Sequence, residues 1–113
     1  TLLKYGAKNV NIKKIEVPGS FELIYGCKKM QNSDVDVIIA IGCIIKGETD
    51  HYNYICQSVS NGITQLNIIN NIPIVFCVLT DHNVQQSINR SGGKHGNKGI
   101  ESAVAAIKIA CIK

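Results

Sequence analysis

Two polar loops of this sequence hold the residue types that phosphate binding and acid–base chemistry require. The first covers residues 46–51 (KGETDH), and its Gly47 allows a ligand to approach the backbone closely. Thr49 adds a hydroxyl group, and His51 adds an imidazole that exchanges protons near neutral pH. If this loop opens a helix, the free N–H groups of the first turn favour an anion such as phosphate. The loop therefore indicates a site for a phosphorylated small molecule.

The same loop also has a purely structural explanation. Thr49 and Asp50 are residue types that cap helices, and the general frequency of such caps favours this explanation over a binding loop by about two to one. A surface histidine without a role is also the commoner case, and His82 and His95 lie in loops as His51 does. The histidines show no spacing typical of metal ligands, so no metal site is predicted.

The second loop covers residues 90–99 (RSGGKHGNKG) and combines glycines with the cations Arg90, Lys94 and Lys98. An arginine binds phosphate through two parallel hydrogen bonds, which indicates a second phosphate contact here. A solvated flexible loop is the alternative. The segment is not a nucleotide-binding P-loop, because Gly99 rather than Ser or Thr follows Lys98. The sequence therefore argues against a nucleoside triphosphatase.

The segments around these loops have a hydrophobic pattern that predicts alternating strands and helices. Residues 35–45 are almost continuously apolar and rich in β-branched side chains, which is typical of a central parallel strand. Further strands are predicted at residues 12–17, near a sheet edge, and at residues 72–79. Helical spacing predicts helices at residues 1–5 (ended by Gly6), 20–31, 52–70 and 100–111, with a short one around Val84 and Ile88.

This alternation builds βαβ units, so the predicted fold class is α/β, with a parallel sheet and helices on both faces. Ligands of such sheets bind beyond the carboxyl ends of the strands, which here means after residues 17, 45 and 79. In the first of these places, Ser20 is a helix-capping type. Glu22 either completes that helix start or accepts hydrogen bonds from a polyhydroxyl ligand. The predicted sheet is thin, so an element before Thr1 or a neighbouring subunit is expected to complete it.

Composition narrows the class of protein. A length of 113 residues with 45% hydrophobic content predicts a single domain. The net charge of +4 is spread along the chain, which argues against nucleic acid, and no apolar run is long enough to span a membrane. The five cysteines are odd in number and show no C-x-x-C spacing, which is typical of a reducing compartment. We expect a cytoplasmic protein, or a plastid protein if a transit peptide has been removed.

Four segments resemble the lumazine synthase family, and their order and spacing match over essentially the whole chain. They are VPGSFEL at residues 17–23, AIGCIIKGETDH at 40–51, IPIVFCVLT at 72–80 and NRSGGKHGNKG at 89–99. The resemblance implies a three-layer α-β-α sandwich with a flavodoxin-like parallel sheet, and no metal or organic cofactor. It also implies pentamers, closed in some members into an icosahedral capsid, whose active sites lie between adjacent subunits.

The resemblance also implies roles for individual residues. The segment that holds the pyrimidine and its ribityl chain falls on Ser20, Phe21 and Glu22. The phosphate-binding positions fall on Gly47, Glu48, Thr49 and Arg90. The proposed proton carrier falls on His51. Residues that line the site from the neighbouring subunit fall on Phe76 and Lys98.

The implied reaction condenses 5-amino-6-ribitylamino-uracil with 3,4-dihydroxy-2-butanone 4-phosphate, a step of riboflavin biosynthesis that precedes riboflavin synthase. The 5-amino group attacks the ketone, water and phosphate leave, and a second ring closes. Such chemistry needs two small-molecule substrates held with their reacting atoms close together, and one side chain that transfers protons. The hypothesis is therefore a site that chiefly orients its substrates, with His51 assisting.

The chain departs from the family pattern at several places. Family chains begin with another strand, whose aromatic residue stacks on the pyrimidine, so residues 1–113 are interpreted as a domain that is incomplete at its N-terminus. Asn89 stands where an acidic residue is frequent, Cys77 replaces a glycine, and His95 replaces a small residue. Two alternatives to the enzyme stay open: a flavodoxin-like module that binds a phosphorylated ligand without chemistry, and a shell-forming structural protein.

Overall fold

The computed structural model describes residues 1–112. Within them the chain forms four α-helices and four strands, in the order α1, β1, α2, β2, α3, β3, β4, α4. Their bounds are Leu23–Met30 (α1), Ile38–Ile45 (β1), His51–Ile69 (α2), Ile74–Asp81 (β2), Val84–Arg90 (α3), Ser91–Gly93 (β3), Gly96–Asn97 (β4) and Lys98–Ala110 (α4). Two short 3₁₀ turns, Asn9–Asn11 and Ser20–Glu22, precede α1.

The strands β1 and β2 pair in parallel over their whole length, from Ile38 opposite Ile74 to Ile45 opposite Asp81. A parallel pair needs a long crossover, and α2 supplies it. Both strands are almost wholly apolar, and helices lie on both faces of the sheet, although side chains of β1 such as Ile41 stay exposed. Their carboxyl ends therefore lie side by side at one edge of the sheet, where α2 and α3 begin.

The main core lies between one face of this sheet and the helices α1 and α2. Val59 is fully buried there, and Ala40 and Ile63 are nearly so. The opposite face contacts α3 and α4, since Cys43 meets Ser87 of α3 and the thiol of Cys77 points at the carbonyl of Lys98 in α4. The predicted three-layer α/β architecture, a parallel sheet flanked by helices, is confirmed.

The strand predicted at residues 12–17 is wrong for the described chain. These residues form no backbone ladder, although Val17 packs against the core and Lys13 donates from its ammonium to the carbonyl of Asp34 at 3.3 Å. A strand exists only where a neighbouring backbone completes its hydrogen bonds, and a local pattern does not supply that neighbour. Of the apolar residues in this segment, Val17 is partly buried against the core and Ile15 is exposed, so their pattern does not indicate sheet pairing.

The sheet edge beside that segment is open within residues 1–112. The N–H of Ile38 bonds to Pro73, so the even-numbered residues of β1 direct their backbone groups at β2. The N–H and carbonyl groups of the odd-numbered residues, such as Ile39 and Ile41, consequently face the other edge. Ile41 is also 69% exposed. This free edge of β1 is the least covered part of the apolar sheet.

The terminating turn predicted at Gly6 is present, although residues 1–5 form only a hydrogen-bonded turn and not a longer helix. The N–H of Gly6 bonds to the carbonyl of Leu3 and that of Ala7 to the carbonyl of Leu2, which is the Schellman pattern of a terminating helical turn. Gly6 has φ of 101°, a left-handed conformation that glycine adopts without the steric cost of a side chain. In residues 1–112 no helix has the length and hydropathy needed to cross a membrane.

A candidate ligand site at the carboxyl end of β1

A cavity of about 320 Å³ lies at the carboxyl end of β1, between that strand and the first turn of α2. It is bordered by four of the residues that the sequence predicts for the site: Ser20, Gly47, Thr49 and His51. Its apolar wall comes from the end of β1 and from Tyr52 and Ile55 of α2. The cavity therefore lies where parallel α/β sheets bind their ligands.

Backbone bonds fix the loop that opens onto this cavity. The N–H of Lys46 donates to the carbonyl of Asp81 at 2.9 Å, which continues the sheet by one step beyond β1. The N–H of His51 lies 3.4 Å from the hydroxyl oxygen of Thr49, a long contact that gives only weak capping. Within the described chain, the side chain of the N-cap residue Asp50 accepts no hydrogen bond from the helix. The first turn of α2 thus keeps N–H groups that an anion is able to occupy.

Ser20 reaches this cavity because β1, the strand beside it, has no side chain at Gly42. The hydroxyl of Ser20 lies 3.4 Å from the carbonyl of Cys43, to which it donates. A Cβ atom at Gly42 would lie 3.0 Å from Ser20 Oγ and 3.0 Å from Leu23 Cδ1, closer than side chains normally approach. A second cavity, of about 190 Å³, lies on the other side of Ser20 along the free edge of β1. Ser20 therefore separates two adjoining spaces.

Phe21 and Glu22 follow Ser20 but lie outside the lining of the larger cavity. The side chain of Phe21 is 53% exposed and presents apolar surface to solvent. Glu22 is the N-cap residue of α1, and its carboxylate forms no capping hydrogen bond within residues 1–112. The helix-start network that the sequence allowed for Glu22 is therefore not formed, and its carboxylate stays available to a ligand.

Tyr52 is a wall residue that the sequence analysis missed. Its ring meets the ring of His82 edge-on, with centroids 6.0 Å apart. Burial raises the pKa of Tyr52, and the neighbouring Cys56 raises it further. The hydroxyl consequently stays protonated at neutral pH and serves as a hydrogen-bond donor rather than a base. The available signal was an aromatic residue directly after His51, in the first turn that follows a central strand.

The glycine-rich segment forms an ordered hairpin and not the flexible loop that the sequence allowed. Strands β3 and β4 pair in antiparallel fashion, with Gly92 and Gly96 at φ of 105° and 87°. Arg90, the last residue of α3, donates from Nη1 to the carbonyl of His95 and from Nη2 to Glu101 Oε2, each at 2.6 Å. The guanidinium is therefore fixed in place, and a carboxylate of α4 partly neutralises its charge.

A comparison with known families matches residues 1–113 to the model of 6,7-dimethyl-8-ribityllumazine synthase. The chain belongs to this family. A relative from Christiangramia forsetii is 55% identical over 113 residues, 98% of this chain and 67% of the relative. Relatives from Flavobacterium johnsoniae and Flavobacterium psychrophilum are 62% and 57% identical over 86% and 96% of this chain. All three carry the name 6,7-dimethyl-8-ribityllumazine synthase.

The chain spans 67%, 52% and 58% of the lengths of these three relatives. The segments on which the resemblance rests, residues 17–23, 40–51, 72–80 and 89–99, all lie inside the matched region. Membership in the lumazine synthase family is therefore supported over the whole chain, although the relatives contain further polypeptide.

The residues predicted for the family's site divide into two groups in this structure. Four of them line the larger cavity, as described above, whereas the others lie outside it: Phe21, Glu22, Glu48, Phe76, Arg90 and Lys98. Phe76 lies in the middle of β2, half-buried against the core, and Lys98 opens α4. The described chain thus brings together only the part of the site that follows β1.

The described residues also hold chemistry that the site does not use. All five cysteines are free thiols, and burial raises the pKa of Cys27 to about 11. Cys27 is therefore a protonated core residue at neutral pH rather than a nucleophile. No group of three His, Cys, Asp or Glu side chains in residues 1–112 has the arrangement of a metal site.

Proposed function

We propose that this chain carries out the lumazine synthase reaction, the condensation of 5-amino-6-ribitylamino-uracil with 3,4-dihydroxy-2-butanone 4-phosphate. The observation that carries the proposal is the family match over residues 1–113, which coincides with a cavity lined by Ser20, Gly47, Thr49 and His51. The relatives from Flavobacterium and Christiangramia bear the name of this activity. The reaction is that of a transferase in riboflavin biosynthesis.

The phosphate of the butanone substrate binds at the start of α2. Gly47 leaves open space around its backbone, since a Cβ atom there would meet nothing within 4 Å. Glu48 and Thr49 follow it, and the first turn of α2, which lacks a side-chain cap from Asp50, supplies N–H groups for the phosphate. Arg90 supplies the cation. Its two observed bonds use two of the five N–H donors of a guanidinium, so the other three are able to bind the phosphate.

The pyrimidine and its ribityl chain bind on the other side of the cavity, along Ser20, Phe21 and Glu22. The exposed ring of Phe21 provides an apolar surface, and the uncapped carboxylate of Glu22 accepts hydrogen bonds from hydroxyl groups. Phe76 and Lys98 complete this side from the adjacent subunit. An active site shared between subunits accounts for the distance of these residues from the cavity of their own chain.

His51 transfers protons as the new C–N bonds form. The 5-amino nitrogen attacks the ketone carbon and loses a proton, and the resulting hydroxyl leaves as water. The phosphate then leaves, and the ribitylamino nitrogen closes the second ring on the remaining carbonyl carbon with loss of a second water. His51 borders the cavity at its polar end, where an imidazole can take up and return a proton. Orienting two substrates can lower the activation barrier by as much as about 7 to 11 kcal/mol. We therefore assign most of the catalysis at this site to positioning.

The proposal includes a pentamer, alone or closed into an icosahedral capsid. Large apolar side chains are exposed on several elements, including Val84 and Ile88 on α3, Ile100 on α4 and Tyr54 on α2. Exposed apolar surface of this extent is typical of a subunit that packs against copies of itself. Light scattering of the purified protein distinguishes a pentamer from a capsid in one measurement.

We place the enzyme in the cytoplasm, where its product is the substrate of riboflavin synthase. The five free thiols of the described chain are consistent with a reducing compartment. No interaction with nucleic acid or a membrane enters the proposal, because the charge of +4 is not gathered into one segment.

The decisive experiment mixes the purified chain with both substrates and follows the lumazine chromophore above the uncatalysed background. A fusion that adds a β-strand with an aromatic residue before Thr1 is assayed in parallel, because the resemblance to the family implies that such a strand supplies a stacking residue for the pyrimidine. Lumazine formation by either protein supports the proposal. Binding of the butanone phosphate without turnover in both proteins would instead favour the non-catalytic binding module.

A further inference from the structure

Asp81, the last residue of β2, bonds to both of the segments that contribute to the proposed phosphate site. Its backbone carbonyl accepts from the N–H of Lys46 at 2.9 Å. Its carboxylate oxygen Oδ2 accepts from the hydroxyl of Ser87 at 2.8 Å. Lys46 begins the loop that contains Gly47 and Thr49, and Ser87 lies one helical turn before Arg90 on α3. One residue therefore fixes the positions of two segments that are far apart in the sequence.

Ser87 is buried and forms hydrogen bonds through both its hydroxyl group and its backbone carbonyl. It is only 8% exposed, and its carbonyl accepts from the hydroxyl of Ser91 at 2.9 Å, directly after Arg90. Its hydroxyl oxygen also lies 3.3 Å from Cys43 Sγ. Since the single hydroxyl proton is donated to Asp81, the thiol of Cys43 is the donor in the second contact. A continuous series of hydrogen bonds thus runs from the cavity wall at Cys43 through Ser87 to Asp81.

The energetics favour a positioning role over incidental packing. A bond to an ionised carboxylate is shorter and stronger than one between neutral groups, and it is directional. Ser87 is buried and its bond to Asp81 is partly shielded from water, whereas the side chains of the Arg90–Glu101 pair are 33% and 56% exposed. The direction of α3, and with it the position of Arg90, therefore depends more on Asp81 than on Glu101.

We propose that Asp81, bonded to Ser87, is a positioning residue for phosphate binding, which aligns the loop from Lys46 to His51 and the arginine Arg90 without itself touching substrate. This inference rests on the proposed function and deepens it. Asp81 acts through its two bonded neighbours in its own chain. It does so whether Arg90 serves the cavity of that chain or of an adjacent subunit.

The test compares Ser87→Ala, Asp81→Asn and Ser87→Thr with the wild-type chain. Ser102→Ala is the matched control, because Ser102 is a buried serine, 3% exposed, on α4. We expect Ser87→Ala to raise the KM for the butanone phosphate and the dissociation constant of inorganic phosphate by about tenfold, the loss of one hydrogen bond to a charged group. The KM for the pyrimidine and kcat stay at their wild-type values, and Ser87→Thr restores phosphate binding.

Asp81→Asn keeps the backbone bond to Lys46 and the shape of the side chain, so it serves where Ser87→Ala fails to fold. We expect it to weaken phosphate binding, as Ser87→Ala does. The double variant should lose no more binding free energy than the sum of the losses in the two single variants. Inorganic phosphate is followed by ³¹P NMR, which reads binding without turnover.

The outcomes separate this inference from the proposed function. A wild-type chain that binds inorganic phosphate and forms lumazine, with variants whose KM for the butanone phosphate is unchanged, overturns the positioning role alone. An equal fall of kcat in Ser87→Ala and Ser102→Ala also overturns it, since that result indicates a general loss of folded protein. A wild-type chain, and a fusion with the added strand, that neither bind phosphate nor form lumazine overturn both.

Discussion

The two segments of the proposed phosphate site differ in how far each is satisfied within its own chain. The loop after β1 opens onto a cavity of about 320 Å³, and the first turn of α2 keeps N–H groups without side-chain caps from Asp50. The hairpin before α4 is closed on itself, because Arg90 already bonds to His95 and Glu101. One segment therefore offers vacant donors, and the other offers a cation that is already partly neutralised.

This difference indicates separate contributions to binding. Backbone N–H groups at a helix start provide direction and a modest charge, which a loop fixed by the sheet presents without rearrangement. A guanidinium provides a full charge, and its internal carboxylate keeps it in one orientation while leaving three N–H donors free. We expect the arginine to determine affinity and the cavity loop to determine where the ketone lies.

The largest effect is expected from Arg90→Ala, which removes the full charge from the second segment. The value of kcat/KM for lumazine formation should fall by about two to three orders of magnitude, mostly through the KM of the butanone phosphate. Steady-state kinetics with the pyrimidine saturating measures it. Lys94→Ala, at the tip of the same hairpin, is the control and keeps wild-type kinetics. A similar loss in both variants would show that the hairpin contributes only general positive charge.

His51→Ala tests the first segment for chemistry rather than binding. We expect kcat to fall about a hundredfold, the lower range for loss of a general acid–base group, with the KM of both substrates unchanged. Full turnover at saturating concentrations of both substrates would remove His51 from the mechanism and leave the orienting role of the site intact.

Gly42→Ala tests the approach of Ser20 to β1. The added Cβ would lie 3.0 Å from Ser20 Oγ and from Leu23 Cδ1, so the turn Ser20–Glu22 must shift outward. We expect the free energy of unfolding in urea to fall by about 1 to 3 kcal/mol and the KM of the pyrimidine to rise. Gly47→Ala is the matched change for stability, since its Cβ meets open space. Equal stability of the two variants would contradict the close approach.

The smallest effect is expected from Glu101→Gln, which keeps the shape of the partner of Arg90 but removes its charge. An exposed ion pair is worth no more than about 1 kcal/mol, so inorganic phosphate should bind about threefold more tightly when the carboxylate no longer competes. Isothermal titration with phosphate measures the change. Weaker binding in this variant would mean that Glu101 chiefly orients the guanidinium, and that the two segments are equally preorganised.

The sequence predicts those parts of the fold that depend on local pattern. The alternation of apolar segments identifies β1, β2 and their helices, because burial on two faces leaves a continuous apolar run wherever it occurs. The segment at residues 12–17 fails because strand formation depends on a partner backbone that no local pattern specifies. The β3–β4 hairpin is missed since the glycines that allow it are equally typical of a mobile loop.

The candidate site divides in the same way. Residues such as Gly47 and His51 are predictable because they directly follow a recognisable strand, and the topology brings such loops to one edge of the sheet. Tyr52 and the Cys43–Ser87–Asp81 contacts were not predicted, because each depends on side chains of separate elements meeting in space. The spacing of residues along the sequence does not indicate which side chains of separate elements are in contact.

The free edge of β1 has a consequence for handling this protein. The strand IIAIGCII contains no proline and no charged residue such as lysine. Proteins usually place such residues on strand edges to prevent the edges of two chains from pairing. Its backbone donors and acceptors at Ile39 and Ile41 are able to add onto the edge of any other incompletely folded chain. A strand that pairs with this edge should therefore make residues 1–112 more resistant to precipitation on concentration.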